Sequence, residues 1–301
     1  MKIAFFGLPL AAVLLARDGH TIVYAGACRR APGLRRLTTQ IAPGRTWLVP
    51  NTASRATVER IREAAPDLLV SWFWTRKLPA DILGIAPSFG VHPSLLPRHR
   101  GPDPYFWAID AGDERSGVTA HRLDVEYDTG AILAQRDLAI DPTWDAWRLA
   151  RALDRPSLAL LRDVARAFAE GRPPVPVPQD AGAATEAPEP TDDDLAIRFG
   201  WSSSRIERRV RAAAPWPGAW TQIGERFATL LRVRPTLDFP KALIAAEAAV
   251  RGDGVAVVRT GDGAIELLEG RDDDDRPLAA GDLARWVEDA RRTATGTTET
   301  T

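Results

Sequence analysis

The chain is poor in the residues that cross-link or coordinate. Its one cysteine, Cys28, excludes an internal disulfide, and its four histidines (His20, His92, His99 and His121) share no zinc-like spacing with it. No structural metal is expected. Lysine is nearly absent: Lys2, Lys77 and Lys241 leave thirty-six of the thirty-nine basic residues as arginine, which reads as a bias of usage toward Arg and Ala. Forty acidic residues bring the net charge to −1. That balance neither demands nor excludes a polyanion, because phosphate binding depends on a local basic face. No apolar run approaches about 18 residues, and the apolar start of Met1 to Gly7 is too short for a signal peptide, so no membrane association and a cytoplasmic location are expected. Gly7, Gly26 and Gly33 stand singly near the first turns. Without a GxGxxG or GxxxxGK grouping, neither NAD nor ATP is expected.

What is present suits an ordinary globular protein. At 301 residues, 45% hydrophobic and 26% charged, the chain has room for one large domain and a small one. Apolar runs over 2–6, 21–27, 46–49 and 67–73 alternate with helical patterns at 10–17 and 56–65, which predicts a mostly parallel sheet in an α/β, Rossmann-like domain over 1–170. Segments 118–123 and 131–138 read as strands flanking a loop. Residues 144–169 read as a helix that Pro156 kinks or divides. The Pro-rich run 171–190 reads as an extended connector. Beyond it, a basic helix at 204–213 and glycine-separated strands (220–233, 243–250, 254–260 and 264–269) predict a small OB-like β-barrel over 191–270. A short helix (282–290) and a Thr/Gly tail expected to be disordered fill 271–301.

Open parallel sheets bind ligands at the carboxyl ends of their strands, where the loops after Phe73, around His92 and around Asp128 converge. Two motifs fall there: His92-Pro-Ser-Leu-Leu-Pro-Arg-His-Arg-Gly-Pro102 and Asp124-Val-Glu-Tyr-Asp-Thr-Gly130. An imidazole near its usual pKa of about 6.5, beside a carboxylate, is suited to proton transfer at neutral pH. Spacing alone leaves His92 open to a plain structural reading. Trp72, Trp74 and Trp107 lie on the same loops and could line a pocket or fill the core. Strand alternation predicts that Trp72 and Trp74 share a face. Arg205, Arg208, Arg209 and Arg211 form either a solvated helix face or a phosphate-facing row.

Together with Ala108-Ile109, Gly112-Asp113, Ser116-Gly-Val-Thr119 and, past the connector, Pro215-Trp-Pro-Gly-Ala219, these motifs resemble the formyltransferases that use N10-formyltetrahydrofolate, the group containing methionyl-tRNA and amino-sugar N-formyltransferases. The resemblance implies a one-carbon transferase with a tetrahydrofolate cofactor, His92 and Asp128 as its catalytic pair, and pterin contacts from Trp74, Thr75, Arg76 and Leu78 and from Leu123, Val125, Glu126 and Tyr127. Substrate contacts are assigned to Ser94, Arg100 and Trp107. One departure stands out: the family's catalytic asparagine is replaced by Gly90. Losing one oxyanion donor costs about 2.7–4 kcal/mol unless another group substitutes, and Ser94, Thr75 and His99 are the expected substitutes. The expected activity is formyl transfer to a small-molecule amine of a specialised biosynthetic pathway, set ahead of tRNA because the basic loop after the second strand is short. The alternatives are altered folate chemistry or hydrolysis, methionyl-tRNA formylation, and an inactive folate- or tRNA-binding homologue.

Overall fold

The structure is a computed structural model, and it describes residues 1–296, with side chains to 293. Contacts divide the chain into two units that interleave in sequence. One comprises 1–104, 115–139 and 150–188; the other comprises 105–114, 140–149 and 189 onward.

The first unit is built on seven strands: β1 (Lys2–Gly7), β2 (Thr21–Ala27), β3 (Thr46–Leu48), β4 (Leu68–Trp72), β5 (Ser88–His92), β6 (Arg115–His121) and β7 (Ile132–Ala139). They are ordered β3-β2-β1-β4-β5-β6-β7. The first five in that order run parallel, and β6 and β7 are antiparallel additions. The central strands β1, β4 and β5 are apolar and buried almost throughout, as both-face packing demands. Helices α1 (Pro9–Arg17), α2 (Leu34–Arg36), α3 (Arg55–Glu63), α4 (Ala80–Leu83), α5 (Pro104–Ala111) and α6 (Ala146–Ala169) follow in chain order, α5 belonging to the second unit. Pro156 lies inside α6 without dividing it.

The two faces of this sheet can be told apart by their partners. Ala4, Phe6 and Leu69 pack with α3 and α4 residues Val58, Ile61 and Ile82. On the opposite face the Trp72 indole donates to Ser157 Oγ of α6 at 2.7 Å, and Phe89 stacks on Phe168. Trp74 packs on the first face, against Phe6. The two tryptophans therefore do not share a face as alternation predicts. The strand ends at Trp72, and Phe73 takes a left-handed φ of 53°, which reverses the side-chain sequence.

The segment expected as a connector is built into the first unit. Val177 exchanges backbone hydrogen bonds with Ile132 at 2.7 and 2.8 Å, and Ala187 does so with Arg100 and Asp103. Its prolines keep it extended, and an extended backbone can pair with whatever edge it meets.

The second unit contains α7 (Asp192–Leu195), α8 (Ser203–Ala213), strands β8 (Ala219–Ile223), β9 (Arg226–Thr236), β10 (Ala248–Val250), β11 (Ala256–Arg259), β12 (Ala264–Arg271) and β13 (Pro277–Ala279), and α9 (Ala280–Gly296). The strands pair antiparallel in the order β10-β11-β12-β9-β8, with β13 beside β12. Gly224 closes the β8–β9 hairpin at φ 62°, splitting the predicted run 220–233. The tail beyond 296 lies outside the described residues. Among the described residues no helix is long and apolar enough to cross a membrane.

Candidate active site

Pairing across the sheet sets the site. Ser71 on β4 lies opposite Gly90 on β5, and Gly90 lies opposite His121 on β6, while His92 lies opposite Thr119. Laterally paired residues project to one face, so Ser71, the gap at Gly90, and His121 form a row, with His92 one step nearer the carboxyl end of β5.

Asp128 arrives over that row from the loop between β6 and β7. Its φ of 57° is left-handed, a conformation aspartate tolerates better than most side chains. Two contacts hold it there: the Gly101 N–H donates to Oδ2 at 2.9 Å, and Gln179 Nε2 donates to its carbonyl at 2.7 Å. Gly130 permits the turn, because a Cβ at that position would lie 1.9 Å from the Arg122 carbonyl oxygen. Asp128 Oδ2 stands 3.4 Å from His92 Nδ1, and Oδ1 stands 3.5 Å from His121 Nε2. One carboxylate thus sits between two buried imidazoles.

The far side of each ring fixes its hydrogen. His92 Nε2 lies 2.8 Å from the His99 carbonyl and His121 Nδ1 lies 2.8 Å from the Arg122 carbonyl. Carbonyl oxygens only accept, so those nitrogens carry the hydrogens. In the neutral tautomers the nitrogens that face Asp128 are therefore bare. Burial pushes the His121 imidazole below its ordinary range, against the attraction of Asp128, so His121 stays neutral. In those tautomers three acceptor atoms converge, an arrangement that one added proton completes. Side-chain exposure is 16% at Asp128 against 7% and 5% at the histidines, so the carboxylate is the member that meets solvent or substrate. His121, given no role by sequence reasoning, belongs to this group; its pairing with Gly90 could be inferred only once β6 was set antiparallel to β5.

The residues assigned to the pterin come together as two facing loops. The Tyr127 hydroxyl donates to the Thr75 carbonyl at 3.2 Å, Lys77 pairs with Glu126 at 2.6 Å, and Lys77 Nζ lies 5.4 Å from the Tyr127 ring centre. Leu123 and Trp74 pack against the apolar cluster of Phe6, Leu78 and Ile82. Val125 and Tyr127 are half-exposed, whereas Leu78 is core. The Trp74 Nε1 hydrogen is buried without a partner among the described residues. An unsatisfied donor costs free energy, about 1–3 kcal/mol, unless a ligand meets it. Apolar walls with one unused indole N–H fit a flat heteroaromatic ring carrying acceptors, as a pterin does.

Two of the assigned substrate contacts are engaged elsewhere. Ser94 is enclosed and its hydroxyl donates to the Arg98 carbonyl at 2.7 Å, closing the turn after His92, so it can be neither a substrate contact nor the substitute oxyanion donor. Arg100 uses its guanidinium on Gln179 Oε1 at 3.1 and 2.7 Å. That bond places Gln179 on the carbonyls of Asp128 and Gly130, so Arg100 acts through the aspartate loop. Trp107, on α5, lies edge-on to Phe106 within the second unit. Arg76 is exposed.

The α8 arginines also differ from expectation. Arg209 is buried and holds Asp110 by two bonds of 2.7 and 3.1 Å, Arg205 reaches the same carboxylate at 2.9 Å, and Arg208 reaches the Asp110 carbonyl at 3.3 Å. Arg211 pairs with Glu207 at 2.5 Å. Helical spacing does bring them together, but it turns Arg205, Arg209 and Arg211 onto internal carboxylates, with Arg208 bonded through Nε to a backbone carbonyl. No group of three His, Cys, Asp or Glu among the described residues is placed to hold a metal ion.

Comparison with known proteins matches residues 35–164 to the formyl transferase family and residues 191–287 to the formyl transferase C-terminal domain. A methionyl-tRNA formyltransferase of Anaeromyxobacter dehalogenans strain 2CP-1 is 36% identical over 292 residues, covering 90% of this chain and 93% of its own. The fold is similar to HypX from Aquifex aeolicus in complex with tetrahydrofolic acid, with a TM-score of 0.63 at 19% identity. That match covers 94% of this chain, which spans under half of HypX, 46% of it. An N-formyltransferase from Helicobacter canadensis, solved with folinic acid and dTDP-3-aminofucose, aligns with a TM-score of 0.61 at 16% identity, over 89% of this chain and 98% of its own.

Proposed function

Because this chain belongs to the formyl transferase family and is a one-carbon transferase using N10-formyltetrahydrofolate, we propose that it delivers the formyl group to the amine of a small molecule. The observation that carries the acceptor reading is the commitment of the α8 arginines to Asp110 and Glu207. Those guanidiniums are satisfied internally and offer no row for a phosphate backbone. The segment between β2 and β3, with Arg29, Arg30, Arg35 and Arg36, is short. A basic loop long enough to grip an acceptor stem has no counterpart there.

The chemistry follows from the site. Bound N10-formyltetrahydrofolate supplies the formyl group. Trp74, Thr75 and Arg76 on one loop and Leu123, Val125, Glu126 and Tyr127 on the other hold its ring system. An amine that attacks a formyl carbon must lose a proton, and Asp128, the least buried of the three, is the acceptor positioned to take it. The proton is then shared with His92 Nδ1, whose other nitrogen is anchored on the His99 carbonyl. General-base help of this kind contributes about 10²–10⁴ in rate.

Methionyl-tRNA is the second reading, favoured by the 36% identity that runs through both units. Incubation with N10-formyltetrahydrofolate and each acceptor in turn separates the two. Formylated small amine without formyl-methionyl-tRNA supports the proposal, and the converse replaces it.

A further inference from the structure

Gly90 removes the side chain that the family uses to steady charge on the formyl oxygen, and the question is what borders the gap. A Cβ built on Gly90 would lie 2.8 Å from Leu123 Cδ2 and 3.6 Å from Ser71 Cβ. Across the other strand, His121 is the paired neighbour. Three side chains therefore border the notch, and their chemistry differs. Leu123 has no donor. His121 turns Nε2 toward Asp128, and since Nδ1 carries its hydrogen to the Arg122 carbonyl, Nε2 is bare and can only accept. Ser71 has a hydroxyl that enters no hydrogen bond among the described residues, on a half-buried side chain free to rotate about a single bond.

From this geometry we infer that the Ser71 hydroxyl is the oxyanion donor of this enzyme, acting from the neighbouring strand in place of the missing side chain at residue 90. The inference rests on the site reading above. Transfer forms one bond from the amine nitrogen to the formyl carbon, breaks the bond from that carbon to N10 of the donor, and moves one proton from the amine by way of Asp128 to N10. Between bond formation and bond cleavage the carbonyl electron pair resides on the formyl oxygen, and a donor is worth most at that point. β4 and β5 are paired central strands, so the hydroxyl is carried on rigid backbone, as such a donor needs to be.

The removal of asparagine is what makes Ser71 usable. A side chain at 90 would fill the space between Ser71 and Leu123, whereas glycine leaves the hydroxyl open to a ligand. Ser71→Val and Ser71→Thr form the test pair, since they share a shape and differ in the hydroxyl. Ser71→Val is expected to lower kcat by about 10²–10³-fold with KM for the formyl donor little changed, while Ser71→Thr keeps most of kcat. A readout apart from turnover comes from a stable formyl-folate analogue with a ¹³C-labelled formyl group, bound without acceptor. Its infrared carbonyl band is expected at higher frequency in Ser71→Val than in the wild type or Ser71→Thr. Equal kcat in the two variants, or an unmoved carbonyl band, overturns the inference. His92→Ala, run in parallel, keeps the two ideas apart: its undiminished turnover sinks the site reading, and its loss alongside a fully active Ser71→Val sinks only the role of Ser71.

Discussion

Two clusters of buried ionisable side chains, one in each unit, have opposite constitutions. Around Asp110, Arg205 and Arg209 supply guanidinium hydrogens to both carboxylate oxygens, and Arg209 also lies 5.4 Å over the Phe106 ring and 5.2 Å over Trp201. Every group there is answered. Around Asp128, two imidazoles whose neutral tautomers present bare nitrogens face a carboxylate that, among the described residues, takes its one hydrogen bond from the Gly101 N–H, and the next position on that face of β5 lacks a side chain altogether. A cluster whose donors and acceptors balance holds a fold together. One that lacks a hydrogen and a side chain is arranged for something that arrives from outside.

That contrast predicts which properties respond to mutation in each place. The largest effects belong to the unbalanced cluster: His92→Ala and Asp128→Ala should each lower formyl transfer by about 10²–10⁴-fold. Thermal unfolding of both variants should stay near that of the wild type, which circular dichroism would check. Asp110→Ala should do the opposite. It strands two guanidiniums, one of them buried, and should cost about 3–5 kcal/mol of unfolding free energy in a denaturant titration. Turnover per folded molecule should persist, and loss of chemistry without loss of stability would erase the distinction.

Smaller effects sharpen the same contrast. Gly90→Asn must displace the Leu123 side chain, since its Cβ would meet Leu123 Cδ2 at 2.8 Å. The displaced atom is the end of a flexible chain, so the variant should fold, and in a Ser71→Val background it should recover part of the lost kcat. His121 gives a pH signature. Burial holds its folded-state affinity for protons below the ordinary one, against the attraction of Asp128, so as pH falls below about 6.5 the unfolded chain takes up a proton that the folded one does not. Stability should therefore decline over that window and His121→Asn should flatten the decline, as unfolding titrations at a series of pH values would show.

How much of this the sequence displayed depends on how far apart the partners lie along the chain. The alternation of strands and helices is local and made the sheet legible, as did the His92–Pro102 and Asp124–Gly130 motifs and their pairing at the sheet's carboxyl end. Relationships set by lateral pairing were not legible. Ser71, Gly90 and His121 meet only through the order β4-β5-β6, and no spacing encodes that order. The Arg209–Asp110 pair spans 99 residues, so the α8 arginines looked available when they were committed. Local backbone exceptions hid a third kind of fact. A left-handed Phe73 sent Trp74 to the face opposite Trp72, and a proline-rich run that read as a connector found partners in Ile132 and Arg100.

The most direct measurement is product analysis by mass spectrometry after incubating wild-type and His92→Ala protein with N10-formyltetrahydrofolate, a pool of small amines and charged initiator tRNA. The account predicts a formylated small amine from the wild type, unformylated methionyl-tRNA, and little product from His92→Ala. Formyl-methionyl-tRNA as the sole product would contradict the acceptor, and equal product from both proteins would contradict the site.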